Sequence, residues 1–184
     1  GILGGGQLGR MLATAGAELG FDIHILTPES DSPAQRVAAA CVVAPFEDET
    51  ALERFAANVD VVTFEFENVP VEAVAICARH APMRPGERSL ELTQDRLIEK
   101  QFVEGLGLRP APFRGASSME DVRTGLAVLG LPAIQTTPRL GYDGKGQAMI
   151  RNAGDADSAF AALAGAPAVL EGFVAFACEV SVIL

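Results

Sequence analysis

The sequence predicts an α/β protein in which a doubly wound parallel sheet is followed by a smaller α+β region. A glycine-rich turn follows a short apolar run at the start of the chain, and apolar runs alternate with amphipathic segments through the first half. In the second half, two apolar runs flank a glycine-rich loop, which is typical of an antiparallel hairpin. The chain has 184 residues, of which 49% are hydrophobic, and this is enough for one large domain or two small ones.

The first half predicts four strands separated by helices. Ile2 and Leu3 end a strand, and Leu8, Leu12, Ala15 and Leu19 then fall on one face of a helix that Gly20 ends. The runs FDIHIL, CVVA and VDVVTF predict the other strands, and residues 49–57 and 71–79 predict helices. Strands that alternate with helices imply a parallel sheet.

The second half predicts a different architecture. Residues 94–106 indicate a helix, Pro110 and Pro112 a linker, and Ser118 the start of another helix with Asp121 as its capping-box partner. The runs PAIQT, AMI and AVLEGFV predict strands, and residues 155–163 predict a helix. The loop LGYDGKGQ joins the first two of these strands.

Charge and cysteine content narrow the function classes. The formal net charge of −10 argues against a nonspecific nucleic-acid binder, although local cations or helix N-termini could still bind phosphate. Cys41, Cys77 and Cys178 are odd in number and far apart, which predicts reduced, buried thiols in a cytoplasmic protein. No apolar run approaches the roughly 18 residues of a membrane span, and no His/Cys cluster has metal-ligand spacing. The chain lacks an initiator Met and stops in the apolar run EVSVIL, so we expect both ends to be cut.

The opening turn leaves two functions open. Gly4, Gly6 and Gly9 fit G-x-G-x-x-G, and Glu29 lies 20 residues after Gly9, where a ribose-binding acid of a dinucleotide site is expected. A glycine-rich turn with another ligand fits equally well, and the local pattern does not decide.

Four further segments each allow a ligand site or a structural role. GYDGKGQ could present backbone N–H groups to an anion or be an Asp-Gly hairpin turn, and EGFV could pair with an adenine edge or be a plain strand. Arg96 and Lys100 share a helical face, which suits a phosphate or a solvated surface. Glu65 and Glu67 follow a strand's carboxyl end, where ligands bind in doubly wound sheets, but they also fit an edge strand.

The order of these segments resembles the ATP-grasp superfamily, and within it the 5-(carboxyamino)imidazole ribonucleotide synthase family. GGGQLGRM, FEFENVP, QDRLIEKQF, GYDGKGQ and EGFVAFACEVSVI carry the resemblance and span nearly the whole chain. The resemblance implies a Rossmann-like domain over residues 1–92, an ATP-grasp lid over 93–170 and the truncated start of a C-terminal ATP-grasp domain over 171–184. It implies ATP-dependent carboxylation of 5-aminoimidazole ribonucleotide with bicarbonate through carboxyphosphate, by a cytoplasmic homodimer that binds neither nucleic acid nor membrane.

The same resemblance assigns residues to ligands. One set of residues is assigned to ATP, where its members contact the phosphates, cover them as a loop, bracket the adenine or bind the ribose. These residues are Arg96, Gln135, Gly141, Tyr142, Asp143, Gly144, Lys145, Gly146, Gln147, Glu171, Gly172, Phe173, Val174 and Glu179. The ribonucleotide contacts are Gly6, Gln7, Leu8, Glu65 and Glu67, with Glu67 the stronger carboxylate candidate. Catalytic residues and Mg²⁺ ligands are expected beyond Leu184, so these 184 residues alone should not turn over ATP.

The chain departs from the family pattern around the loop. The family usually has a lysine on the strand before the loop, and Gln135 is expected at that position here. Leu140 replaces the glycine that usually precedes the loop motif. Pro138 interrupts the basic pair that usually comes before it, so that only Arg139 remains. These changes bear on phosphate binding. The alternatives are another ATP-grasp ligase, such as a formate-dependent glycinamide ribonucleotide transformylase, a nicotinamide-dinucleotide-binding oxidoreductase, and a non-catalytic remnant.

Overall fold

The computed structural model describes residues 1–139, 141, 146–164 and 166–182. The chain divides into two compact units, Gly1–Gln94 and Asp95–Leu184. Each unit has its own four-stranded sheet and its own apolar core. The first sheet is parallel and the second antiparallel, so the predicted fold class is confirmed.

The first unit is a doubly wound sheet with strand order β3-β2-β1-β4. Its strand order reverses beside the first strand, because the chain returns from one edge of the sheet to the other side of β1. Such a switch point is where open α/β sheets bind ligands, at the carboxyl ends of the strands. The strands are β1 (Ile2–Leu3), β2 (His24–Thr27), β3 (Ala40–Val43) and β4 (Thr63–Phe64), and the helices are α1 (Gln7–Glu18), α2 (Glu49–Ala56), α3 (Val71–Ala78) and α4 (Glu87–Thr93).

The first helix packs through its small residues, not its leucines. The leucines that share one helical face are not buried, since Leu8 is 56% exposed and Leu19 is 76% exposed. The buried positions of α1 are Gly9 and Ala13. A Cβ at Gly9 would lie 2.9 Å from the carbonyl oxygen of Gly4, so the helix backbone lies too close to the turn for a larger side chain. The predicted helix is confirmed, and its buried positions are small residues and not the leucines.

The second unit has the strand order β5-β8-β6-β7, and all neighbouring strands are antiparallel. The predicted hairpin is the β6–β7 pair. Two helices cover one face of the sheet and form the core with it. The strands are β5 (Phe113–Ala116), β6 (Ala133–Thr136), β7 (Gln147–Ile150) and β8 (Ala168–Gly172), and the helices are α5 (Arg96–Gly105), α6 (Met119–Leu129) and α7 (Asp155–Ala162).

The predicted capping box at the start of α6 is confirmed. Ser118 Oγ accepts a hydrogen bond from the Asp121 N–H (3.1 Å), and Asp121 Oδ2 accepts one from the Ser117 N–H (2.9 Å). These backbone and side-chain hydrogen bonds to the carboxylate, from Ser117 first, lower the pKa of Asp121. The box satisfies N–H groups that a helix start would otherwise leave unpaired.

The cysteines differ in exposure. Cys77 is buried, and burial raises the pKa of its thiol to about 11. Cys41 and Cys178 are exposed, so the prediction of buried thiols is wrong for these two.

Candidate functional site

The glycine turn of the first unit is built around the carboxylate of Glu65. Glu65 comes directly after β4 and reaches the start of α1, whose N-cap is Gly6. Its Oε1 accepts a hydrogen bond from the Gly6 N–H (2.5 Å), and its Oε2 accepts one from the Gly9 N–H. A negative charge at a helix N-terminus is favourable because the unpaired N–H groups carry partial positive charge. The carboxylate therefore takes the place that a phosphate has in a nucleotide-binding turn.

The glycines of the motif make room for this carboxylate. A Cβ at Gly4 would lie 2.5 Å from Glu65 Cγ, a Cβ at Gly6 would lie 2.9 Å from Oε1, and a Cβ at Gly9 would lie 2.9 Å from Oε2. Gly4 also has φ +108°, which side-chain-bearing residues rarely adopt. Gly5 approaches the Ser32 side chain instead. The pattern G-x-G-x-x-G is thus explained by a residue of the protein itself.

A cavity of about 330 Å³ lies beside the turn. Its walls include the carboxylates of Glu29, Asp31 and Glu65 and the rings of Phe46 and Phe66. Glu29, the acid that the dinucleotide alternative requires, accepts a hydrogen bond from Thr27 Oγ1. The described residues that line the cavity include no Lys, Arg or His, but Asp31 is paired with Arg36 (3.2 Å), so Glu29 and Glu65 are the lining carboxylates that disfavour an anion.

The other predicted ribonucleotide contacts lie at the same end of the sheet. Gln7 and Leu8 occupy the first turn of α1 and are exposed, and Glu67 is exposed two residues beyond Glu65. Both oxygens of Glu65 already accept hydrogen bonds from the turn, whereas the Glu67 carboxylate makes no hydrogen bond or ion pair to the described residues. Contact of any of these side chains with a ribonucleotide stays a prediction.

In the second unit, Arg96 is fixed at the exit of β6. Its backbone N–H donates to the Pro138 carbonyl (2.8 Å), and its guanidinium donates to Thr136 Oγ1 (2.8 Å). The preceding residue, Asp95, caps α5 by accepting from two N–H groups of the first turn, and its other oxygen lies 3.8 Å from the Arg139 guanidinium. Two guanidinium groups therefore flank the stem of the glycine loop.

The expectation that Gln135 faces the ATP phosphates is wrong. Gln135 is fully buried, and its Nε2 donates to the carbonyl of Ala159 in α7 (3.1 Å). Its neighbours across the sheet, Ala148 and Leu170, belong to the helix-covered core, and directly opposed residues share a face of the sheet. The residue whose side chain meets Arg96 is Thr136, one position later.

The carboxyl end of β8 is held from α5 and from β5. Lys100 Nζ lies 2.9 Å from Glu171 Oε2, with the two side chains 16% and 18% exposed, and 5.9 Å from the centre of the Phe113 ring. Lys100 is therefore paired with a carboxylate, and joint binding of a phosphate by Arg96 and Lys100 stays a hypothesis.

The backbone of the predicted adenine segment is partly used by the sheet. The Gly172 N–H donates to Pro112 (2.8 Å) and the Phe173 N–H to Pro132 (3.2 Å). The Val174 N–H follows them in an exposed stretch, and no backbone acceptor for it occurs among the described residues. An unpaired N–H is the donor that an adenine edge requires, and the contact itself stays a prediction.

Part of the predicted loop lies outside the described residues: Tyr142, Asp143, Gly144 and Lys145. At the loop's return, the Gly146 carbonyl accepts from the Thr137 N–H (2.9 Å), and Gly146 has φ +70°. Gly141 precedes the undescribed stretch, Gln147 begins β7, and Glu179 is exposed in the segment after β8. Their contacts with ATP stay predictions.

No metal centre is formed by the described part of the chain. Within residues 1–139, 141, 146–164 and 166–182, no group of three or more His, Cys, Asp or Glu side chains is placed to hold a metal ion. Over the same ranges, no helix has both the length and the apolar content to cross a bilayer.

Family models match both units. A model of the ribonucleotide synthetase preATP-grasp domain matches residues 1–94, and a model of the ATP-grasp domain matches residues 101–184. This chain belongs to the ATP-grasp ribonucleotide synthetases. The resemblance inferred from the motifs is confirmed.

Individual relatives of this chain support the same family assignment. The N5-carboxyaminoimidazole ribonucleotide synthase of Brucella melitensis is 48% identical over 100% of this chain and 51% of its own length. The ADP complex of an N5-carboxyaminoimidazole ribonucleotide synthetase superposes with a TM-score of 0.90 at 39% identity, covering 96% of this chain and 47% of that one. The Aspergillus clavatus N5-carboxyaminoimidazole synthase, in complex with ADP and 5-aminoimidazole ribonucleotide, gives 0.85 at 26% identity, covering 96% and 46%. The chain spans about half the length of the curated relatives it matches.

Several site residues escaped the sequence analysis. Thr136 and Asp95 contribute through contacts with Arg96 and Arg139, and no pattern in the sequence links these positions. The i, i+4 spacing of Arg96 and Lys100 was the available signal for α5, but it did not reveal that Glu171 neutralises the lysine. Glu65 was recognised as a carboxylate at a strand end without its role in the turn.

Proposed function

We propose that this chain supplies the nucleotide-binding unit and one ribonucleotide-facing unit of an enzyme that carboxylates 5-aminoimidazole ribonucleotide with ATP and bicarbonate. ATP would phosphorylate bicarbonate to carboxyphosphate and release ADP. The exocyclic amine of the ribonucleotide would then attack the carboxyl carbon, the C–O bond to phosphate would break, and 5-(carboxyamino)imidazole ribonucleotide would form. The work of the protein in such phosphoryl transfers is positioning and charge neutralisation.

The observation that carries the proposal is the arrangement of α5 along the second sheet. Arg96 is fixed at the exit of β6, and Lys100, one turn later, is paired with Glu171 at the end of β8. The four residues from Arg96 to Lys100 rise about 6 Å along α5, so the parts of β6 and β8 that these two side chains contact lie on the same side of the helix, about one turn apart. A nucleotide with its base against residues 171–174 would direct its phosphates toward Arg96 and the glycine loop.

In the proposed complex, the loop of residues 141–147 covers the phosphates and the backbone of residues 171–174 brackets the adenine. Glu179 would bind the ribose. Exclusion of water by the loop would protect carboxyphosphate from hydrolysis. Gln7, Leu8 and Glu67 would contact the ribonucleotide, beside the backbone of Gly6.

The described residues provide no set of carboxylates for Mg²⁺. When bound, the metal would neutralise phosphate charge, and we infer from the resemblance that its ligands lie outside these 184 residues. A homodimer and a cytoplasmic location are also inferred from the resemblance alone.

The geometry of the first unit favours this proposal over a dinucleotide-dependent oxidoreductase. A dinucleotide pyrophosphate would need the N–H groups at the start of α1, and Glu65 accepts from two of them. The oxidoreductase alternative also gives no role to the α5–β8 arrangement of the second unit.

The test is nucleotide turnover by the full-length protein. We expect ADP release only when 5-aminoimidazole ribonucleotide and bicarbonate are both present. Dependence on formate and glycinamide ribonucleotide would assign the protein to the transformylase alternative. Binding of NAD without binding of ATP would contradict both ATP-dependent functions.

A further inference from the structure

We propose that Glu65 is a positioning residue whose carboxylate holds the backbone of residues 6–9 in the shape that presents Gln7 and Leu8, and excludes anions from the start of α1. The presentation of Gln7 and Leu8 to a ribonucleotide rests on the proposed function. The exclusion of anions does not, because it follows from contacts within the first unit.

The hydrogen bonds show how the turn is fixed. Glu65 bridges the N–H groups of Gly6 and Gly9, which are the N-cap and the third residue of α1. The two residues between them, Gln7 and Leu8, are exposed. Fixing the backbone on both sides of this pair sets the direction in which both side chains leave the helix.

The conformation of Gly6 identifies Glu65 as the reason for the glycine. Gly6 has φ −72° and ψ −162°, an extended conformation that any residue adopts. Nothing in the backbone therefore requires glycine at this position. The requirement comes from the Glu65 carboxylate, which a Cβ would approach to 2.9 Å.

The same contacts exclude a bound anion. Glu65 uses two of the N–H groups at the start of α1, those of Gly6 and Gly9. A phosphate that accepted from the N–H groups of Gln7 and Leu8 between them would meet the negative charge of the carboxylate. Glu29 adds negative charge in the adjoining cavity, whereas the charge of Asp31 there is offset by Arg36 (3.2 Å). The turn therefore has the sequence of an anion-binding motif, but its electrostatic environment repels anions.

The experiment compares Glu65→Ala and Glu65→Gln with a matched control, Glu29→Gln. The control removes one negative charge from the same cavity, because Glu29 lines it, but leaves the turn intact since Glu29 bonds to Thr27. Calorimetry on the full-length protein would measure binding of 5-aminoimidazole ribonucleotide, of ATP and of inorganic pyrophosphate, which serves as the anion probe.

For Glu65→Ala we expect ribonucleotide affinity to fall by about tenfold or more and pyrophosphate affinity to rise by about tenfold or more. ATP affinity should stay within about twofold, because the ATP contacts are proposed on the other unit. Glu29→Gln should change pyrophosphate affinity by less than about threefold. A role confined to stability would not create pyrophosphate binding.

Two results would overturn the proposal, each refuting a different part of it. Unchanged ribonucleotide affinity in Glu65→Ala would refute the positioning role, and unchanged pyrophosphate affinity would refute the exclusion. If Glu65→Ala does not fold, Glu65→Gln decides both points, because the amide keeps the size but has one acceptor oxygen and no charge. If the unaltered protein binds no ribonucleotide, the proposed function fails, while the pyrophosphate comparison still tests Glu65.

Discussion

Replacing Gln135 by lysine should destabilise the second unit and should not tighten ATP binding. An alignment that places the family's lysine at Gln135 predicts tighter binding through a restored cation. In the structure Gln135 is fully buried between Ala148 and Leu170, under α7. The new ammonium group would therefore enter an apolar core and not a phosphate site.

The size of the effect follows from burial. Fully buried lysines have pKa values lowered by about 3–5 units from the usual value of about 10.4. A shift of about 3 units corresponds to about 4 kcal/mol, which agrees with the roughly 3–5 kcal/mol measured for uncompensated buried charges. Because the folded pKa would be lower than the unfolded one, the penalty is full below the folded pKa and shrinks as pH rises toward about 10.

The assay is urea unfolding followed by circular dichroism at about pH 6 and about pH 10, with amide exchange of β6 as a local probe. Gln135→Met is the matched control, since it is similar in size, carries no charge, and loses the same hydrogen bond to Ala159. Gln135→Met also removes Gln135 Oε1, a buried atom with no partner among the described residues. The unfolding free energy should therefore fall by only about 1 kcal/mol. If Gln135→Lys has the same unfolding free energy as Gln135→Met at both pH values, or binds ATP more tightly than the unaltered protein, the assignment of this face of the sheet to the core is refuted.

Two further predictions test the contacts around the proposed sites. Gly6→Ala should cost about 1–3 kcal/mol of unfolding free energy, because its Cβ meets Glu65 Oε1, and should cost about 1 kcal/mol less in a Glu65→Ala background. Equal costs in the two backgrounds of this double-mutant cycle would show that Glu65 is not the reason for the glycine. Lys100→Met should lower stability by about 1–3 kcal/mol, since it leaves the Glu171 carboxylate mostly buried without its cation, and Lys100→Arg should recover most of the loss. Thermal unfolding checks this pair, and an unchanged melting temperature in Lys100→Met would contradict the stabilising role of the ion pair.

The sequence determined most of the local structure. Glycine and proline positions, apolar runs and capping residues predicted α2, α3, α5 and α7 close to their observed bounds and the start of α6, because these signals act within a few residues of the chain. The change from parallel to antiparallel sheet was predictable for the same reason: strands alternating with helices require crossovers, and a tight glycine loop favours a hairpin. The strand β5 was missed, since prolines at 110 and 112 indicated a linker where Phe113 begins a strand.

The tertiary structure alone decided which side chains meet. An alignment error of one residue within β6 exchanges the two faces of the sheet, because side chains alternate, so only the pleat distinguishes Gln135 in the core from Thr136 beside Arg96. The buried face of α1 likewise depends on how closely its backbone approaches the turn, and the leucine spacing carries no information on that distance. The sequence showed a glycine motif and, 56 residues after Gly9, a glutamate. Only the pairing of β4 with β1 brings that carboxylate to the start of α1, where it accepts the hydrogen bonds of the glycine turn.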